Sequence, residues 1–167
     1  MAKILNFMYD VEVEGLGPVG GFSSVKGLKE ADDISEYREG DDPETADKYP
    51  GLTKYDNVTL ERGMDTSTSG NFFRTWRAQV KDAKRVANTD DGTMGATGGS
   101  DESYKHKVKI YLKDKAGNRV KCFVLRKAFP PEQEFDDMEG LGGDVYKERL
   151  VLAHSGLAVY DSGIAGG

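Results

Sequence analysis

Residues 50–63 read PGLTKYDNVTLERG, and this stretch decides the fold. Pro50 presets φ near about −65° and Gly51 tolerates positive φ, so the pair reads as a turn from which a strand starts. From Asn57 to Glu61 polar and apolar residues alternate, with Val58 and Leu60 on one face, which is the period of a half-buried strand. The stretch holds a lysine, an arginine and a glutamate able to pair across strands, but no nucleophile beside a base. It argues for a sheet protein with no chemistry at its centre.

On the amino-terminal side, residues 4–14 alternate cleanly. Phe7, Tyr9, Val11 and Val13 share one face, and Asn6, Met8, Asp10, Glu12 and Glu14 share the other, wet one. GLGPVGG over residues 15–21 lacks the following helix and the Lys-Ser/Thr pair of a phosphate loop, so it reads as a hairpin connection. A short strand is expected over residues 22–25. Residues 29–40, KEADDISEYREG, allow a strand with few apolar positions, one that lies at an edge or faces water or another protein. Residues 41–49, DDPETADKY, have no period and contain Pro43; they read as an exposed loop, either solvated padding or an arm that docks on a neighbour.

On the carboxy-terminal side, residues 63–70 offer N-cap candidates at Ser67, Thr68 and Ser69, with Asn71 a further one. The spacing of Phe73, Trp76, Val80, Ala83 and Ala87 predicts a helix over residues 71–87, with Phe72 in i,i+4 contact with Trp76. Its opposite face carries Arg74, Arg77, Lys81, Lys84 and Arg85, either solvated or docked on an acidic partner. Residues 88–104 are rich in Gly, Ser, Thr and Asp and read as a mobile loop. Strands over residues 107–113 and 120–127 flank a DKAGN turn, and Phe129-Pro130-Pro131 is expected to stop the second. Residues 132–143 read as an acidic loop and residues 145–154 as a last strand, after which a Gly-rich tail over residues 155–167 is expected to fray.

At 167 residues the chain reads as a single domain able to bury a core unaided. One cysteine, Cys122, excludes an internal disulfide framework. The opening residues are not those of a secretory signal, and no apolar run reaches membrane-spanning length, so synthesis in the cytoplasm as a soluble protein is expected. The net charge of −6 is uneven: residues 1–55 hold 12 acidic and 6 basic side chains, and residues 56–167 hold 17 of each. An acidic chain of this kind argues against sequence-specific nucleic-acid binding, although an acidic surface lets phosphate slide past. Two histidines and one cysteine make a poor zinc set, and the acidic loop lacks calcium-loop spacing, so no metal and no cofactor are expected. Ser155 follows His154 directly, with no nucleophile elbow. No enzyme activity is expected.

Four collinear segments carry a resemblance. GGFSSVKGL with EYREG (residues 20–40), PGLTKYDNVTLERG, LKDKAGNRVKCFVLRKAFP (residues 112–130) and VYKERLVLAHSGL (residues 145–157) together resemble the tube proteins of contractile tails, in phages and in extracellular contractile injection systems. The resemblance implies a mainly β fold, a tail-tube or Hcp-like β-barrel of two antiparallel sheets with one flanking α-helix. It further implies six copies in a ring, and rings stacked into a hollow inner tube. Implied partners are further copies of the chain, a sheath protein, baseplate hub and spike proteins and a tube terminator, with DNA or protein cargo passing through unread. The assembled site is a virion tail or an injection particle. Under that reading the 41–49 arm, with Asp41, Asp42, Glu44, Asp47, Lys48 and Tyr49, becomes a contact between rings or subunits. Arg74, Arg77, Lys81, Lys84 and Arg85 become an outer face toward the sheath or the adjacent ring, and Glu12, Glu14, Glu36 and Lys109 become lumen candidates. The alternative is a secreted Hcp-like ring that holds effectors in its lumen, which stacking without added partners would distinguish. The basic helix and the long 88–104 loop depart from the family pattern.

Overall fold

The computed structural model describes residues 9–38, 40, 46–63, 70–88, 102–138, 140 and 146–161. Among the described residues ten strands and one helix follow in the order β1 (Tyr9–Val13), β2 (Gly17–Phe22), β3 (Ser24–Lys26), β4 (Glu30–Tyr37), β5 (Asp47–Tyr55), β6 (Val58–Gly63), α1 (Gly70–Asn88), β7 (His106–Lys113), β8 (Arg119–Phe135), β9 (Lys147–Ala153) and β10 (Gly156–Asp161). All pairing is antiparallel. One ladder runs β2-β1-β7-β8-β9-β6-β3 with β10 also on β8, and β4 and β5 form a separate two-stranded hairpin.

The strand β8 turns this ladder into two sheets. Its first part pairs with β7 and β10, its last part with β9, and the register shifts between Phe129 and Glu132, where Pro130 and Pro131 sit. The expected stop at the prolines is therefore a bulge. Proline cannot donate to a ladder, so it is tolerated where pairing changes partner, and the strand continues through Glu132 to Phe135 instead of giving way to a loop. The two sheets enclose one core in which Val11, Val13, Val108, Ile110 and Leu125 from the first meet Val58, Leu60, Leu150 and Leu152 from the second. Cross-strand pairs Val58 with Leu152 and Leu60 with Leu150 set that register, and a one-residue slip would turn the apolar set to water.

The expected closed barrel is not formed, because no ladder joins β2 to β3 among the described residues. Ser23 carries the chain from one sheet to the other, and its N–H donates to Glu61 O at 2.9 Å. The glycine-rich stretch is likewise strand and not loop: the turn is confined to residues 14–16, and Gly17, Pro18 and Val19 begin β2. An edge strand accepts Pro and Gly that a central one would not. Residues 22–25 form no single strand, since the change of sheet falls at Ser23.

The helix covers one opening of this core. Phe73, Trp76 and Val80 are buried, the Phe22 and Phe73 rings lie 5.7 Å apart, and Trp76 Nε1 donates to Tyr104 O at 2.8 Å. Phe72 meets Trp76 edge-on as its spacing implied. The helix already includes Asn71, and the caps proposed at Ser67, Thr68 and Ser69 lie outside the described residues. Of the loop expected over residues 88–104, Asn88 is helical, Tyr104 is tied down by Trp76, and residues 89–101 lie outside the described ones. The tail also differs from expectation: Gly156–Asp161 pairs with Lys121 to Arg126 of β8, because Leu157 opposite Leu125 gives it apolar surface to bury. Residues 162–167 lie outside the described ones.

Candidate assembly surfaces

The β4–β5 hairpin stands apart from the core as an arm. Every residue of β4 is exposed, as is every residue of β5 except Tyr55. Four large apolar side chains face solvent on it: Ile34 at 65 % exposure, Tyr37 at 60 %, Tyr49 at 53 % and Leu52 at 78 %. Register places Ser35 opposite Tyr49 and Tyr37 opposite Asp47, so the two tyrosines are diagonal neighbours on one face; Ile34 opposes Pro50 on the other. Both faces of the arm are thus partly apolar. The turn expected at Pro50-Gly51 is part of β5, where a register shift leaves Asp33 facing Gly51 and Leu52. A Cβ on Gly51 would lie 2.9 Å from Asp33 O, so glycine permits the strands to approach there. Thr53 Oγ1 donates to Asp32 Oδ1 at 2.6 Å, and Lys54 pairs with Asp33 at 2.8 Å.

The arm also holds the charge. Residues 30–55, the stretch of sequence from the start of β4 to the end of β5, contain nine acidic and three basic side chains, and the remaining residues contain 20 of each, so the whole net charge of −6 lies in that stretch.

Two other surfaces are charged but balanced. On the outward face of the first sheet Glu12 stands opposite Lys109, Glu14 pairs with Lys107 at 3.5 Å, and Lys113 pairs with Asp10. Arg119 stacks on Tyr111 with 3.8 Å to the ring centroid, beside a recess lined by Asp10, Glu12 and Pro18. Burial pushes the Tyr111 hydroxyl and the Cys122 thiol above their ordinary pKa values, so both are neutral near pH 7. On the outward face of the second sheet Arg149 reaches Glu61 at 2.9 Å, Asp136 at 2.9 Å and Glu134 at 3.7 Å. Burial pushes the Glu61 carboxyl up, but hydrogen bonds and charge from Arg149 and Lys147 outweigh it and hold its pKa below the ordinary value. Among the described residues no group of three His, Cys, Asp or Glu side chains could hold a metal ion. Both ring nitrogens of His154 are engaged with backbone carbonyls.

Residues 5–158 match the family described as T4-like virus tail tube protein gp19. The chain belongs to this tail tube family. Its tube-protein fold is also that of solved structures. The anti-feeding prophage tube-terminating cap aligns at a TM-score of 0.72 with 19 % identity, covering 97 % of this chain and 93 % of the cap chain. A chain of the sheath/tube terminator of the extracellular contractile injection system PVC aligns at 0.70 with 20 % identity, covering 96 % and 98 %. One from the PVC sheath-tube complex aligns at 0.65 with 20 % identity, covering 96 % and 93 %. No curated protein matches the chain. This tube protein is accordingly a structural component, of a class that is not an enzyme class.

Within the tube protein, Asp47, Lys48 and Tyr49 lie in β5 and not in a loop, while Asp41, Asp42 and Glu44 fall outside the described residues. Glu12 and Lys109 are brought together and Glu14 is nearby, but Glu36 is on the arm opposite Lys48. Arg74 and Lys81 are exposed on α1; Arg77 is not, since its Nη1 donates to Pro130 O at 3.0 Å. The side chains of Lys84 and Arg85 lie outside the described ones. The sequence reading missed one pair. Arg62 and Glu148 are each 5 % exposed and paired in the core, with Arg62 Nη1 donating to Val19 O at 3.2 Å and its guanidinium 4.4 Å from the Phe73 centroid. Alternation gave the signal, because Arg62 follows Val58 and Leu60 on their face and Glu148 precedes Leu150 and Leu152 on theirs.

Proposed function

We propose that this tube protein builds hexameric rings that stack into the hollow inner tube of a contractile tail or injection particle, with the β4–β5 arm as the contact between copies. The arm carries this reading. A two-stranded hairpin is marginal alone in water, and this one exposes Ile34, Tyr37, Tyr49 and Leu52 on two faces while contributing nothing to the core. Large apolar side chains grouped on a projection mark a surface that another molecule covers. The arm's net −6 gives it a preferred site on the next copy: the helix α1, whose sequence holds five basic residues and one acidic one.

Six copies per ring is what the tube family implies. The balanced outward face of the first sheet, with Glu12, Glu14 and Lys109, is the proposed lumen wall. Glu14 pairs with Lys107 and Glu12 stands opposite Lys109 in the ladder, so the wall presents mixed charge that grips neither phosphate nor protein and suits passage of either cargo. The sheath protein, baseplate proteins and tube terminator are the proposed further partners. Negative-stain electron microscopy of the purified chain is expected to show stacked rings, and Ile34→Asp/Leu52→Asp is expected to abolish them while leaving a folded monomer. Tubes formed normally by that variant would overturn the arm contact. Single rings of the unaltered chain that never stack would favour the carrier reading.

A further inference from the structure

The arm joins the core through two segments, residues 27–29 and 55–57, and the His154 side chain reaches the second of them from elsewhere in the chain. His154 lies in the break between β9 and β10. Its Nε2 is 3.1 Å from Asp56 O, at the root of the arm, and its Nδ1 is 3.0 Å from Gly156 O. Its ring lies 5.4 Å from that of Tyr55, the one residue of β5 that is not exposed.

Both hydrogen-bond partners of this ring are carbonyl oxygens, which only accept. A neutral imidazole has one N–H and one bare nitrogen, so either tautomer satisfies one carbonyl and sets a lone pair against the other at about 3 Å. Only the imidazolium, with two N–H groups, donates to both. The groups around it are the Asp56 carboxylate, paired with Lys29 at 3.8 Å, the Tyr55 ring, and Arg126 of β8, whose side chain lies against Gly156. Asp56 N–H donates to Lys29 O at 3.2 Å, so a hold on Asp56 is passed to both segments of the root.

We propose that His154 is a positioning residue for the arm: protonated, it clamps the arm root to the β9–β10 break, and on losing its proton it releases one contact and lets the arm swing. The clamp is present where the ring carries both protons and is lost where it carries one. That acid also favours assembly rests on the reading of the arm as the contact between copies; the clamp itself does not.

The test is hydrogen–deuterium exchange on the full-length chain at dilute concentration from pH 8 to pH 5.5, corrected for the pH dependence of chemical exchange, with His154→Phe and His154→Gln as comparisons. Phe keeps a ring beside Tyr55 without donors, and Gln reaches one carbonyl without titrating. Protection of residues 55–57 is expected to rise several-fold on acidification in the unaltered chain and to stay flat in both variants. ¹⁵N spectra of the unaltered chain, which need no variant to fold, are expected to show both nitrogens of His154 protonated as protection rises. An arm root insensitive to pH, or the same slope in His154→Phe, would overturn the clamp. A pH-dependent root with pH-independent tube assembly would support the clamp and overturn the arm contact instead.

Discussion

Arg62 and Glu148 form the kind of pair a core tolerates only when complete. Burying one unpaired charge is far more costly than burying the pair, because the partner's attraction and hydrogen bonds replace the lost water. Arg62 has further support from Val19 O and from the Phe22 and Phe73 rings, at 5.4 and 4.4 Å from its guanidinium carbon. It therefore ties β2, β6, β9 and α1 together across the seam that no ladder closes. Glu148→Gln is expected to destabilise the monomer by about 3–5 kcal/mol in urea unfolding. The double variant Arg62→Met/Glu148→Leu is expected to lose less than Glu148→Gln, since it leaves no charge stranded. Equal losses would show that packing and not charge governs the site.

At the scale of elements, alternation made β1, β6, β7 and β9 legible, because each has one face in the core and one in water. The 3.6-residue spacing did the same for α1. What stayed hidden were positions where a partner, not a propensity, decides: Pro130 and Pro131 survive in β8 because pairing passes from β7 to β9 there, and β10 exists because β8 offers it an edge. Gly27 is a comparable case. It has φ 88°, and a Cβ there would lie 2.2 Å from Asn57 O, a close approach that only the folded root of the arm makes visible. The seating of α1 has its own pH dependence. The Trp76 ring meets His106 at 5.6 Å, and His106 Nε2 is buried without a hydrogen-bond partner among the described residues. Burial pushes the His106 pKa below its ordinary value. Its neutral form thus contributes stability above the unfolded value of about 6.5, and that stability is lost as pH falls toward the folded pKa. Exchange protection of α1 is expected to fall between pH 7 and pH 5 and to fall less in His106→Phe. The sign is opposite to that expected at His154, so the chain's two histidines are separable by where protection changes.

For the whole molecule, the uneven charge was plain in the sequence, but its meaning was not. Counting to residue 55 showed an acidic first third; only the boundaries of β4 and β5 reveal that the rest is neutral and the arm carries all of the net −6. A neutral body with a charged, partly apolar projection divides its free energy in two. Core burial sets the stability of each copy, and the arm sets its affinity for the next. Because no described arm residue belongs to the core cluster, replacing residues 31–54 by a two-glycine turn is expected to change unfolding of the monomer by less than about 1 kcal/mol, while light scattering shows complete loss of stacking. Salt separates the two parts of the arm's attraction. Charge between exposed groups is screened over about 8 Å at physiological ionic strength and about 3 Å at 1 M, whereas apolar burial is not weakened by screening. Tube assembly of the unaltered chain is therefore expected to need a higher protein concentration at 1 M than at 0.05 M salt, and Arg74→Glu/Lys81→Glu is expected to remove most of that salt dependence. A salt response unchanged by the helix substitutions would place the arm's partner surface elsewhere than on α1.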